Sequence, residues 1–265
     1  MKWMMEGYSV RQLALQSGHS TAKLYRIINH WLSYGQPQTV ANWGQFKYLV
    51  FDGTFLHRPK SLVTVMDAGN NIVISGKYGV KETSEIHLID FFQPLVDQGL
   101  QPVSCTVDGN AQVIRVLKRL WPNIIIQRCL VHIQRQGLAW CRNHPKSAYA
   151  SQLRDIFLEV TRIHTKEERD RFLESVKQWE EKFGRSIDSR PERGWVFSDI
   201  KRARSMLLKA LPNMFHYLED PNIPFTTNGL EGYFSRLKSH YRQHRGIVQA
   251  KLSNYFSWYF YLKPI

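Results

Sequence analysis

The chain has 265 residues, of which 43% are hydrophobic and 13% aromatic, and this excludes a disordered polypeptide and provides enough apolar surface for a sizeable core. Lys and Arg (36) outnumber Asp and Glu (22), and the formal net charge of +14 predicts a polyanionic partner, with nucleic acid the first candidate. The sequence has three cysteines, which is typical of a reducing compartment, and it has no apolar run of about 18 residues, so no membrane role is predicted.

The first predicted elements are two short helices around a tight turn, at residues 10–16 and 22–31. Gly18 supplies the positive φ that the turn needs, and Ser20 or Thr21 is the expected N-cap of the second helix. This is the helix-turn-helix pattern, in which the second helix reads a DNA groove. The predicted DNA contacts on this helix are Thr21, Lys23, Tyr25 and Arg26, and His30 is a further polar position. A pair of helices that serves only as scaffolding is the alternative.

From residue 45 onward the pattern changes to short apolar runs that are typical of buried strands. The predicted strands cover residues 47–52, 62–67, 72–78, 103–107 and 124–127, and the predicted helices cover residues 84–96, 111–120 and 129–141. The order is therefore β-β-β-α-β-α-β-α, with three antiparallel strands followed by crossover units. This order predicts an α/β protein with a ribonuclease H-like core, a mixed five-stranded sheet flanked by helices.

The remainder of the chain is predicted to be helical. Residues 145–222 show no strand pattern and are interpreted as an all-α insertion, which precedes a final core helix at residues 228–244. Four parts are therefore predicted in chain order. They are a helix-turn-helix segment at 1–34, the first part of the core at 45–144, the insertion at 145–222, and the final helix with a basic C-terminal tail at 223–265.

Three acids stand where such a fold can bring carboxylates together. Asp52 lies in an apolar strand, Asp108 ends the fourth strand, and Glu231 lies one turn into the final helix. Burying a lone aspartate costs several kcal/mol unless it is paired or binds a metal. Two Mg²⁺ or Mn²⁺ ions about 3.5–4 Å apart, held by carboxylates, support phosphodiester cleavage and strand transfer. Taken singly, the Asp-Gly pairs are equally explained by turns and Glu231 by the helix macrodipole, and Asp67 is interpreted as a turn residue.

The charges are distributed unevenly along the chain. Residues 109–154 and the segment from 232 onward contain no Asp or Glu, whereas acids collect between residues 155 and 220. A solvated face usually mixes both signs, so the two basic stretches predict a phosphate-binding surface. The residues predicted to contact DNA there are Arg128, Arg135, Arg236, Lys238 and Arg242. A generally basic surface is the alternative.

On these residues the chain resembles the group of DDE transposases that comprises bacterial insertion-sequence enzymes and eukaryotic Mutator-like enzymes. The matching motifs are Phe51-Asp-Gly-Thr54, Thr106-Val-Asp-Gly109, Gln127-Arg-Cys-Leu-Val-His132 and Thr227-Asn-Gly-Leu-Glu231. The resemblance covers roughly residues 8–244, and it implies that Asp52, Asp108 and Glu231 bind two Mg²⁺ or Mn²⁺ ions. It also implies cleavage and strand transfer of transposon DNA by a homodimer or larger assembly, in the bacterial cytoplasm at the nucleoid.

The Cys-x-x-His element of that group is matched by Cys129 and His132, and the resemblance implies that the pair lies in the catalytic pocket, near the scissile phosphate. With Cys141 and His144 the same residues form a C-x2-H-x8-C-x2-H spacing, which contains enough ligands for tetrahedral zinc. On one continuous helix the two pairs would stand about 18 Å apart, so zinc binding requires a break near Gly137. Plain helix packing is the third interpretation.

Two other functions fit the same residues. A catalytically inactive or truncated transposase-derived protein would bind DNA without turnover, and this alternative is prompted by the longer N-terminal region that many members of the group have. A structure-specific nuclease of the same fold would cut DNA without joining it. Metal-dependent strand joining distinguishes a transposase from both.

Overall fold

The computed structural model describes residues 2–35, 42–58, 60–189, 194–244 and 246–265. The strands of the described residues are β1 (Tyr48–His57), β2 (Lys60–Asp67), β3 (Ile72–Val80), β4 (Ser104–Val107) and β5 (Ile125–Arg128). The α-helices of the same residues are α1 (Lys2–Glu6), α2 (Val10–Ser17), α3 (Thr21–Trp31), α4 (Glu85–Asp97), α5 (Ala111–Leu120), α6 (Leu130–Cys141), α7 (Ala148–Glu159), α8 (Lys166–Trp179), α9 (Arg185–Asp188), α10 (Gly194–Ala210), α11 (Asn228–Arg242) and α12 (Leu252–Leu262).

The strands form one mixed five-stranded sheet in the order β3-β2-β1-β4-β5. The pairs β1–β2 and β2–β3 are antiparallel, whereas β4–β5 is parallel. The predicted α/β class is confirmed, as is the predicted order of three antiparallel strands followed by alternating helices and strands. Within the described residues, none of the helices is both long and apolar enough to cross a membrane.

The chain divides into two compact units. The first unit comprises Met1–Val103, Asn110–Ile124 and Asn228–Ile265, and it contains the antiparallel strands β1 to β3 with helices α1 to α5, α11 and α12. The second unit comprises Ser104–Gly109 and Ile125–Thr227, and it contains the parallel strands β4 and β5 with helices α6 to α10.

The core of the first unit is built from the β1–β3 strands, α11 and α12. Strand β2 is buried at every position after Lys60, as a central strand with both faces covered should be. Helix α12 buries a run of aromatic side chains, of which Tyr255 and Phe256 are fully inaccessible. Phe260 of the same helix lies against Gly76 of β3, where any Cβ atom would overlap the ring. The sequence pattern did not predict α12.

Helices α2 and α3 in the first unit have the turn chemistry expected from the sequence. Gly18 ends α2 with a φ of +69°, and the Ser20 side chain caps α3 by accepting a hydrogen bond from the Lys23 amide at 3.2 Å. The C-terminal end of α3 is attached to α12, because the Trp258 indole donates to the Trp31 carbonyl oxygen at 3.1 Å and Asn254 Nδ2 donates to the Leu32 carbonyl oxygen at 3.0 Å. These bonds hold the C-terminal end of α3 against α12, and most residues of α3 are exposed to solvent.

The second unit places its two short strands among helices. All four residues of β4 are buried, and α6 packs on α7 and α10. Gly137 lies in the middle of α6 against the Phe157 ring of α7, where a Cβ atom would overlap that ring. The described part of residues 145–222 is helical throughout its regular elements, as the sequence predicted.

Candidate functional site

Asp52 lies in the middle of β1, in the first unit. The predicted strand end at residue 52 was wrong, because β1 continues to His57 and keeps its antiparallel pairing with β2. The Asp52 side chain is half-buried, and its Oδ1 atom accepts a hydrogen bond from the amide of the next residue, Gly53, at 2.8 Å. The carboxylate of Glu82 lies against Gly53 and occupies the space of a Cβ atom. No sequence pattern had singled out Glu82, which stands in a short polar loop.

Glu231 lies in the first turn of α11, also in the first unit. Its side chain is half-buried, while the helix buries four apolar side chains on the face that joins the core, namely Leu230, Tyr233, Phe234 and Leu237. Of the basic residues predicted to contact DNA on this helix, Arg236 and Arg242 are exposed and Lys238 is half-buried. The helix therefore presents cations to solvent along the segment that follows Glu231.

Asp108 belongs to the second unit and directly follows the buried strand β4. Its main chain is contacted by Arg128 at the end of β5, whose Nη2 atom donates to the Asp108 carbonyl oxygen at 3.1 Å. The next residue, Gly109, has a φ of +108°, and the Arg128 guanidinium occupies the space of a Cβ atom there. This close approach explains why glycine follows Asp108.

Arg128 is a buried cation, because only 8% of its surface is exposed and its Nε atom has no hydrogen-bond partner among the described residues. Burial lowers the pKa of the Arg128 guanidinium, and the nearby charges of Asp108 and Cys129 oppose that shift. The sequence had predicted Arg128 as a DNA contact on charge pattern alone. The structure shows Arg128 buried against the turn at Asp108, whereas Arg135 on α6 is exposed.

Cys129, His132 and Thr227 form a hydrogen-bonded cluster in the second unit. The Cys129 sulfur lies 3.2 Å from His132 Nδ1, and it accepts from the Thr227 amide at 3.3 Å and from the Thr227 hydroxyl at 3.5 Å. Burial acts to raise the pKa of the Cys129 thiol, but the hydrogen bonds from His132 and Thr227 outweigh it and lower that pKa. The sequence had predicted Cys129 and His132 as a pair but gave no role to Thr227, which is 98 residues away from Cys129 in the chain.

The structure does not bring Cys129, His132, Cys141 and His144 together as a zinc site. Helix α6 is unbroken from Leu130 to Cys141, so the required break near Gly137 is absent. Burial raises the pKa of the Cys141 thiol to about 12, the opposite direction from Cys129. Across the described part of the chain, no group of three or more His, Cys, Asp or Glu side chains is placed to hold a metal ion.

The polar residues predicted to read DNA on α3 are exposed. Thr21, Lys23 and Arg26 point into solvent, and Tyr25 keeps 55% of its surface accessible. An open cavity of about 460 Å³ lies on this helix, lined by Lys23, Arg26, Ile27, His30 and Trp31. Cations and apolar side chains are therefore interleaved on one accessible face.

One comparison assigns a family to this chain. The model of a family described as "Transposase, Mutator family" matches residues 61–210, which are 150 of the 265 residues. The matched span contains Asp108, Cys129 and His132, while Asp52 and Glu231 lie outside it. No curated protein matches the chain.

Proposed function

Because the chain belongs to the Mutator family of transposases, we propose that it is a DDE transposase, which cleaves transposon DNA and joins it to target DNA. The family match over more than half of the chain is the observation that carries this proposal. The order of strands and helices supports a ribonuclease H-like core, and the capped, exposed helix α3 supports a helix-turn-helix that binds DNA. The net charge of +14 suits that partner.

Three carboxylates are the proposed ligands of two Mg²⁺ or Mn²⁺ ions: Asp52, Asp108 and Glu231. Their oxygen atoms are the donors that these hard cations prefer, and all three side chains are half-buried rather than fully inaccessible. When bound, such ions stabilise the attacking and leaving oxygens of an in-line displacement at phosphorus. Each carboxylate is held by its own element, Asp52 by β1, Asp108 by the turn after β4 and Glu231 by the first turn of α11, and among the described residues they are not assembled into a metal-binding group. A homodimer or larger assembly, which handles two transposon ends together, is part of the proposal.

A strand-transfer assay tests the chemistry directly. Purified protein is mixed with a pre-cleaved transposon end and plasmid DNA, with Mg²⁺, Mn²⁺ or excess EDTA. We expect joined product with either metal and none in EDTA. Product in EDTA would contradict the metal proposal, cleavage without joining would favour a nuclease, and DNA binding without any reaction would favour an inactive remnant.

The salt dependence of DNA binding tests the role of α3. The variants Lys23→Ala and Arg26→Ala each remove one exposed cation, so we expect each to lower the slope of log affinity against log salt by about 0.9. Fluorescence anisotropy with a labelled mixed-sequence duplex at several salt concentrations measures this slope. Lys177→Ala is the matched control, because Lys177 is also an exposed cation on a helix, α8, and lies 3.9 Å from Glu174. An unchanged slope in both α3 variants would remove α3 from the DNA interface.

A further inference from the structure

The segment that leads into α11 is the last part of the second unit, and three of its residues, Pro224, Phe225 and Thr227, are hydrogen-bonded to β4 or to the start of α6. The Thr106 hydroxyl of β4 donates to the Pro224 carbonyl oxygen at 2.5 Å. The Leu130 amide at the start of α6 donates to the Phe225 carbonyl oxygen at 2.9 Å. These bonds use main-chain oxygens of a segment without regular secondary structure, so they restrict its path independently of its side chains.

Thr227 provides the last of these attachments, and it is completely buried. Its amide and its hydroxyl both contact the Cys129 sulfur, and the hydroxyl also lies 3.4 Å from His132 Nδ1. A buried amide that loses its acceptor is costly, so this sulfur is a substantial determinant of where Thr227 sits. Thr227 is followed directly by Asn228, the first residue of α11.

We infer that Cys129 and His132 are positioning residues that hold Thr227, and thereby the start of the helix that carries Glu231, rather than groups that touch DNA or metal. The inference rests on the proposed function, because Glu231 matters as a proposed metal ligand. A positioning role also explains the Cys-x-x-His spacing. Cys129 and His132 are three residues apart at the start of α6, so their side chains lie on the same side of the helix. The imidazole of His132 contacts the Cys129 sulfur, and both groups contact the Thr227 hydroxyl.

Hydrogen bonding explains the residue types. A sulfur atom that accepts from the Thr227 amide, the Thr227 hydroxyl and His132 has the environment of a thiolate, and a neutral thiol that donates to His132 still accepts from the amide. In both forms the Thr227 amide keeps its acceptor.

The test combines a structural readout with a kinetic one. Hydrogen exchange of the peptide that contains Thr227 is measured in wild type, Cys129→Ala, Cys129→Ser and Cys141→Ala. Cys141 is the matched control, since it is a buried cysteine on the same helix with 2% of its surface exposed. We expect protection at Thr227 to fall by about tenfold or more in Cys129→Ala, to be partly restored in Cys129→Ser, and to be unchanged in Cys141→Ala.

The kinetic arm measures strand transfer for the same variants and for His132→Gln and Thr227→Val. We expect kcat to fall roughly 10- to 100-fold in Cys129→Ala, His132→Gln and Thr227→Val, with the KM for DNA unchanged. Unchanged exchange at Thr227, an unchanged kcat despite lost protection, or a rise in the KM for DNA that accounts for the whole effect would each overturn the inference. If wild-type protein shows no strand transfer, the proposed function fails, but the exchange experiment still decides whether the cysteine holds Thr227.

Discussion

Asp108→Asn is expected to abolish strand transfer while DNA affinity stays close to wild type. The substitution keeps the shape of the side chain and removes the charge that would bind the cation. It also leaves the main-chain oxygen that accepts from Arg128 in place, so the turn after β4 should persist. Loss of metal-assisted stabilisation of the transition state is worth several kcal/mol, which corresponds to a rate reduction of roughly a thousandfold or more. The measurement is the initial rate of joined product at saturating Mg²⁺.

Asp52→Asn and Glu231→Gln should show the same loss, because the three carboxylates are proposed to act on the same ions. Asp67→Asn is the matched control. Asp67 is a buried acid on β2 whose Oδ2 atom accepts from the Asn70 amide at 3.0 Å and from its side chain at 2.8 Å, so it shapes a turn. We expect its rate to remain within about twofold of wild type, since an amide oxygen can still accept those bonds. Activity retained in Asp108→Asn would refute its assignment as a metal ligand.

Local chemistry made much of this fold predictable. The turn at Gly18, the cap at Ser20 and the turn role of Asp67 each follow from residue types within a few positions of one another. The order of strands and helices followed equally well, because buried strands and amphipathic helices differ in the period of their apolar residues. Each of these features depends on a short stretch of the chain, so a single sequence was sufficient to predict it.

Helix α12 shows how a helical period can be missed. Its buried residues have a helical spacing, but Trp258 and Tyr261 on the more accessible side make residues 252–262 aromatic or apolar at most positions and weaken the contrast between the two faces. What the helix packs against shows which face is which. Tyr255 and Phe256 fill the core, and Phe260 requires the missing side chain at Gly76. Such complementarity between distant segments cannot be read from either segment alone.

The candidate site shows the same limit. The three acids could be proposed as a site from their positions in the strand and helix order, whereas Thr227 and Glu82 could not be singled out, because their contacts are made by distant parts of the chain. Charge pattern was also ambiguous at Arg128. A cation in a stretch without acids suggests a DNA contact, yet this one is buried beside the Asp108 turn. Net charge indicates the class of partner that a protein binds, but it does not indicate which Lys and Arg side chains lie on the binding surface.

Gly109→Ala is expected to destabilise the protein by about 3 kcal/mol or more. An alanine at a φ of +108° is strained by roughly 1–2 kcal/mol, and its Cβ atom would displace the Arg128 guanidinium. A guanidinium at the end of an exposed side chain would move away at little cost, but Arg128 is buried and would lose its bond to the Asp108 carbonyl oxygen, which adds about 1–3 kcal/mol. Urea unfolding curves measure the difference in free energy of unfolding.

Gly99→Ala separates the two contributions, because Gly99 has a φ of +91° and no heavy atom within 4 Å of the position that a Cβ atom would take. It should therefore show the backbone strain alone. The excess loss in Gly109→Ala then reports the displacement of Arg128, and it should shrink in the double variant Gly109→Ala/Arg128→Ala relative to Arg128→Ala. Equal losses in the two glycine variants would mean that the guanidinium moves freely and does not hold the turn. A selective loss at Gly109, accompanied by slower strand transfer, would tie the geometry of Asp108 to the buried cation behind it.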